Sequence, residues 1–191
     1  MGMGKTVQTL VLVHSLLHAK QARRVLIVVP KTLVAVWRKE WRKFLAAHGV
    51  PAVPAIFLGG DDQASAVCQA FTRLSSITDT GGSCLVVCVS YSQLRLHLAE
   101  LGGCSLDLLV ADEAQRCKDE GSEVARSVQL VGASARILLT ATPVQNNLTE
   151  LRALLNLAVP GAAGTQEQWR SAITRPIEAA KADDASLAVQ L

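Results

Sequence analysis

Gly4, Lys5 and Thr6 stand near one end of the chain and Asp112 and Glu113 near its middle, and residues of these types at such positions handle phosphate. In a loop of the form G-x-x-x-x-G-K-[ST], backbone amides cradle phosphates, the lysine reaches the β- and γ-phosphates and the hydroxyl holds Mg²⁺. "MGMGKT" supplies the end of such a loop, whose first glycine and feeding strand are expected before Met1. An aspartate closing a buried strand can hold Mg²⁺, and an adjacent glutamate can orient and deprotonate an attacking water. Asp112 and Glu113 follow the apolar run "LDLLVA" directly. Other readings compete for the same residues. An Asp after a strand is also an ordinary helix cap, with Glu favoured in the first turn. "MGMGKT" fits an acylation pattern that would anchor Gly2 in a membrane. "VQTLVLVHSLLHA" has the outline of a signal peptide, although Gln8, His14 and Ser15 interrupt it.

Such residues act only if a scaffold positions them. Short apolar runs at 24 to 30, 53 to 59, 84 to 90, 106 to 112 and 136 to 142 alternate with helical patterns, the arrangement of βαβ units in an α/β fold with a doubly wound parallel sheet. All but the second are nearly continuous in Val, Ile, Leu and Cys, as strands buried on both faces should be. The second reads as a short edge strand. Val34, Trp37, Trp41 and Leu45 recur at helical spacing, as do Leu148, Leu151, Leu154 and Leu155. Ligands of open α/β sheets sit beyond the carboxyl ends of the strands, and there the chain places "PKT", "SYS", "DEAQ" and "TATPVQNN".

Half of the 191 residues are apolar, enough for one domain with a substantial core. No stretch approaches the roughly 18 uninterrupted apolar residues of a membrane span. The net charge of +3 permits an anionic partner without requiring one. Five cysteines form no C-x₂-C pair and three lie in apolar runs, which favours reduced intracellular thiols over disulfides or a zinc site. His14, His18, His48 and His97 show no ligand spacing. Trp37, Trp41 and Trp169 read as core. Arg38, Lys39, Arg42 and Lys43 read as the solvated face of a helix rather than a nucleic-acid footprint.

"MGMGKT", "VLIVVPKTLVAVWRKEW", "LVADEAQRCKDEGSE" and "ILLTATPVQNNLTELRALLNL" resemble, in order and spacing, motifs I, Ia, II and III of the Swi/Snf-type DNA-dependent ATPases, relatives of the DEAD/DEAH helicases. The tail "PGAAGTQEQWRSAITRPIEAAKADDAS" is similar to the recombinational-repair, Rad fifty-four type, branch. The resemblance implies a RecA-like first lobe over residues 1 to 159, incomplete at its amino end, with 160 to 191 leading toward a second lobe. It implies ATP and Mg²⁺, with Gly2, Gly4, Lys5 and Thr6 on the phosphates and metal, and Asp112 and Glu113 as metal-binding and catalytic carboxylates. Gln115, Thr140, Thr142 and Gln145 would line the nucleotide and couple it to DNA. Pro30, Lys31 and Thr32, and Ser90 and Tyr91, would meet the phosphates of one DNA strand. Gln115 stands where the family usually has His, and Ala141 where it usually has Gly. Implied partners are duplex DNA, with nucleosomes or recombinase filaments beyond it, and the implied location is the nucleus, without a membrane. In that family an arginine finger, worth about 10³ to 10⁵ in rate, comes from the second lobe, so the 191 residues alone are expected to show no appreciable DNA-stimulated hydrolysis. A non-catalytic nucleotide- or DNA-binding module and an RNA helicase lobe are the alternatives.

Overall fold

The computed structural model describes residues 4–48, 53–59, 62–78, 80–142 and 148–180. Five parallel strands, β1 (Arg24–Val29), β2 (Ala55–Leu58), β3 (Leu85–Ser90), β4 (Leu106–Asp112) and β5 (Ala133–Leu139), form one sheet in the order β2-β3-β1-β4-β5. Helices α1 (Lys5–His18) and α2 (Val34–His48) cover one face. On the other lie α3 (Ala64–Ser75), α4 (Tyr91–His97), α5 (Glu123–Leu130) and α6 (Leu148–Ala158). Then α7 (Gln166–Trp169) follows and continues through a π-helical segment, Arg170–Thr174.

Strand side chains alternate between faces, and the core divides accordingly. Val25, Ile27, Val29, Leu108 and Val110 meet Leu10, Val13 and Leu17 of α1 and Trp37 and Trp41 of α2. Leu26, Val28, Leu85, Val87 and Val89 meet Val67, Phe71 and Leu74 of α3 and Leu94 of α4. The apolar run beginning "VQTLVL" is thus a helix packed on the sheet through residues one turn apart. No helix among the described residues is long and apolar enough to cross a membrane.

Three expectations about the fold need correction. The fifth strand runs 133 to 139, three residues earlier than the apolar run: Leu106 pairs with Ala133 and Asp112 with Leu139, so β4 sets its span. It stops before Thr140 because that hydroxyl accepts the Thr142 amide at 3.1 Å and turns the chain. β5 is also half-buried rather than buried on both faces, since it forms the sheet edge opposite β2. In α6, Leu155 is 41% exposed and Leu157 is buried in its place.

Polar ties fix the margins. At the amino end of β4, the Asp107 carboxylate accepts the Arg23 and Arg24 amides at 2.7 and 2.8 Å and pairs with the Arg24 guanidinium at 3.2 Å. Burial raises the pKa of Asp107, but these donors outweigh it and hold the carboxyl below its ordinary value. Arg136 of β5 donates to the carbonyls of Leu157, Gln129 and Val131, closing the carboxyl ends of α5 and α6.

Candidate nucleotide and nucleic-acid site

The helix after β1 crosses on one face and the helices after β3 and β4 on the other. A crevice therefore opens beyond the carboxyl end of β1, between its neighbours, where such sheets bind ligands. Asp112 ends β4 there, with the same parity as Leu108 and Val110, so it faces the α1 and α2 side. It is 5% exposed. Its Oδ2 accepts the Trp37 indole N–H at 2.9 Å and its Oδ1 the Glu113 amide at 2.9 Å. The Tyr91 hydroxyl, from the end of β3, donates to the Asp112 carbonyl at 2.8 Å. Two neutral donors fix the carboxylate's rotation, and each oxygen keeps lone-pair capacity for a cation.

Glu113 adopts the left-handed region, φ 52° and ψ 48°. That conformation costs a residue with a Cβ on the order of 1 kcal/mol or more, and it is held where surrounding structure demands it. Here the short 3₁₀ turn Ala114–Cys117 begins at once, and buried Ala114 and Cys117 seat it. The Cys117 thiol is pushed up to about 11, by burial first, so it is protonated and unreactive.

From Glu113 a chain of hydrogen bonds runs across to β5. Gln115 donates through Nε2 to the Glu113 carboxylate. The Thr140 hydroxyl donates to Gln115 Oε1 at 2.8 Å and accepts the Thr142 amide at 3.1 Å. The polarity of the chain is set by its ends, because an amide N–H only donates and a carboxylate only accepts. Gln115 serves both directions with one side chain and, unlike His, does not titrate.

At the third margin, Gly4 takes φ 71°, which favours glycine, and α1 begins at Lys5 without a side-chain cap. An uncapped helix N-terminus presents amides suited to phosphate, and Lys5 and Thr6 occupy its first turn. No hydrogen bond among the described residues joins Lys5 or Thr6 to Asp112. Pro30 ends β1, and exposed Lys31 and Thr32 begin a 3₁₀ turn closed by the Leu33 amide on the Pro30 carbonyl at 2.8 Å.

Ser90 and Tyr91 turn their side chains into the fold. Ser90 is fully buried and accepts the Gln93 amide, capping α4, and Tyr91 is 4% exposed. The apolar surroundings that bury Tyr91 raise its phenol far above the ordinary value. Gly2 and Gln145 lie outside the described residues. The structure thus brings Asp112, Glu113, Gln115, Thr140 and Thr142 together and gathers the other described candidates around the same end of the sheet. It adds Trp37, whose place on an apolar stripe spoke only for packing; its N–H was the one sign that a buried indole needs a polar partner. Arg38 is half-buried and donates to the Phe57 carbonyl at 2.6 Å, while Lys39, Arg42 and Lys43 are exposed.

A family model described as the SNF2-related domain matches residues 1–191. The DNA repair protein rhp54 of Schizosaccharomyces pombe is 30% identical over 183 residues, which cover 93% of this chain and 21% of that protein. The ISWI chromatin-remodeling complex ATPase ISW2 of Saccharomyces cerevisiae is 34% identical over 168 residues, covering 87% of this chain and 14% of that protein. The chain therefore spans about a fifth or less of the length of these curated relatives. In fold it is similar to the Sulfolobus solfataricus SWI2/SNF2 ATPase core solved in complex with dsDNA, with a TM-score of 0.71 and 24% identity over 93% of this chain and 34% of that one.

Proposed function

The chain belongs to the SNF2-related family, and on that premise we propose that it is the nucleotide-binding lobe of a DNA-dependent ATPase that translocates on duplex DNA. The observation that carries the reading is the hydrogen-bonded chain from Glu113 through Gln115 to Thr140 beside the buried Asp112. It joins a carboxylate pair of the phosphoryl-transfer type to the end of the next strand, which is the connection a coupled ATPase needs.

The residues fit Mg²⁺ and ATP. Among the described residues, Asp112 is bonded through neutral N–H groups and carries acceptor capacity toward the crevice, and the first turn of α1 offers uncapped amides with Lys5 and Thr6. Asp112 and the Thr6 hydroxyl would hold Mg²⁺, with Gly2, Gly4 and Lys5 on the phosphates. When bound, the metal neutralises charge on the phosphoryl group being transferred. Glu113 accepts the proton of the attacking water, and the Gln115 N–H holds its carboxylate in one orientation for that task. Gln115, Thr140, Thr142 and Gln145 report the state of the nucleotide to the DNA side. Lys31 and Thr32, exposed beyond β1, meet DNA phosphates, and Pro30 sets their turn. Trp37 and Tyr91 tie the segments after β1 and β3 to Asp112 itself, so a displacement of either segment by DNA moves the metal-binding carboxylate.

The relatives named for DNA repair and for chromatin remodelling support a role of the intact protein in one of these processes, with a second RecA-like lobe, the nucleosome or a recombinase filament as partners and the nucleus as its location. The test is steady-state ATP hydrolysis by the protein carrying this chain, with no nucleic acid, with duplex DNA and with RNA. Stimulation by duplex DNA is expected. Stimulation by RNA alone would assign an RNA helicase, and nucleotide binding without turnover would assign a binding module.

A further inference from the structure

Cys68 lies on α3, and His97 and Glu100 lie where α4 gives way to the 3₁₀ turn Leu98–Leu101. Cys68 Sγ is 3.7 Å from His97 Nδ1, across 29 residues of sequence. One ligand atom from each of Cys68, His97 and Glu100 lies within 4.8 Å of the other two. The convergence rests on fixed backbone. In a 3₁₀ helix, side chains three residues apart eclipse, and His97 and Glu100 have that spacing, with His97 as the cap of the turn. The Ser75 hydroxyl at the end of α3 donates to the Leu101 carbonyl at 3.3 Å, and Phe71, Leu74, Leu94 and Leu101 pack in one buried cluster beneath.

We propose that Cys68, His97 and Glu100 form a binding site for a zinc-class divalent transition metal that fastens α3 to the end of α4. Thiolate, imidazole and carboxylate together are a donor set for such a metal rather than for Ca²⁺ or Mg²⁺, which take oxygen ligands. Zinc–sulfur bonds of about 2.3 Å and zinc–nitrogen bonds of about 2.0 Å, at the tetrahedral angle, place S and N roughly 3.5 Å apart. The observed 3.7 Å is within a few tenths of an ångström of that edge. Glu100 is exposed, so its carboxylate reaches the third position by side-chain rotation, and water takes the fourth. On binding, the Cys68 thiol gives its proton to solvent as the metal–sulfur bond forms, and His97 binds through Nδ1 with its proton on Nε2. His97 lies at the opposite end of α4 from Tyr91, about 9 Å along the helix, so the site's role is to fasten the helices and not to hydrolyse. Residues 29 apart carry no short ligand spacing, which is why neither the cysteine nor the histidine pattern announces it.

The probe is Co²⁺, titrated into the reduced, chelator-stripped protein while thiolate-to-cobalt charge-transfer absorption and the visible bands of tetrahedral cobalt are recorded. A saturable signal displaced by Zn²⁺ is expected. Cys68→Ser should remove one equivalent of it, and Cys84→Ser, just before β3 and packed on the other face, should leave it intact. Glu100→Gln, at an exposed position where folding is not at stake, should weaken Co²⁺ binding about tenfold or more. Absence of a cobalt–thiolate band in folded protein, a band unchanged in Cys68→Ser, or unchanged affinity in Glu100→Gln would overturn the proposal.

Discussion

β4 carries an aspartate at each end, and the two are held in opposite ways. Asp107, at the amino end, is saturated by two backbone amides and a guanidinium. Asp112, at the carboxyl end, is the more buried of the two, yet its side chain is bonded by an indole and one amide, both neutral. A carboxylate whose charge is answered within the fold serves the fold. One positioned by neutral donors and kept out of water suits the metal-binding role proposed for Asp112.

The sharpest way to break this comparison is at the neighbour of Asp112. Glu113→Gln, assayed in the protein carrying this chain, should lower ATP hydrolysis by about 10² to 10⁴ while ATP binding stays within about twofold, since it removes the proposed base and leaves Asp112 in place. Turnover like the parent would end the catalytic assignment. Next in size is Trp37→Phe, which keeps most of the buried body but removes the N–H from Asp112. A hydrogen bond to a charged group contributes about 1.5 to 3 kcal/mol, so a loss of about tenfold in hydrolysis and a lower melting temperature are expected together. A melting change with full activity would confine Trp37 to packing.

Thr140→Val tests the relay rather than its ends. It removes the hydroxyl that links Gln115 to Thr142, and stimulation by duplex DNA should fall severalfold while unstimulated hydrolysis changes little. Equal stimulation in parent and variant would uncouple the relay from DNA. Asp107→Asn should have the smallest effect on chemistry: hydrolysis unchanged, stability to urea lowered by about 1 kcal/mol. The pH dependence follows from the sign of the shift. Because the folded pKa lies below the unfolded one, the contribution of Asp107 is present above about pH 4 and is lost as pH falls through its depressed value. The difference between parent and variant should therefore shrink on acidification below pH 4; a constant difference would show that Asp107 acts through shape alone.

Much of this arrangement was legible in the residues. Apolar runs marked β1, β3 and β4 closely, and polar words follow their carboxyl ends, where an open α/β sheet binds ligands. Less legible was β5: "RILLTAT" is an apolar run, but pairing with β4 and the Thr140 side chain set the strand three residues earlier. Nor does a motif show which way Ser90 and Tyr91 turn: the serine caps α4 and the phenol donates to the buried Asp112 carbonyl, partners that only the folded sheet brings near.

The sequence by itself determined the alternation of strands and helices, the family, and which residue types stand at the strand ends, since these depend on local periodicity and on the order of motifs along the chain. Only the tertiary structure decided which donor each carboxylate receives. Trp37 and Asp112 are 75 residues apart, Asp107 and Arg24 83, and Cys68 and His97 29. A side chain's hydrogen-bond partner is chosen by proximity and desolvation after the sheet has formed, and no spacing along the chain encodes that proximity.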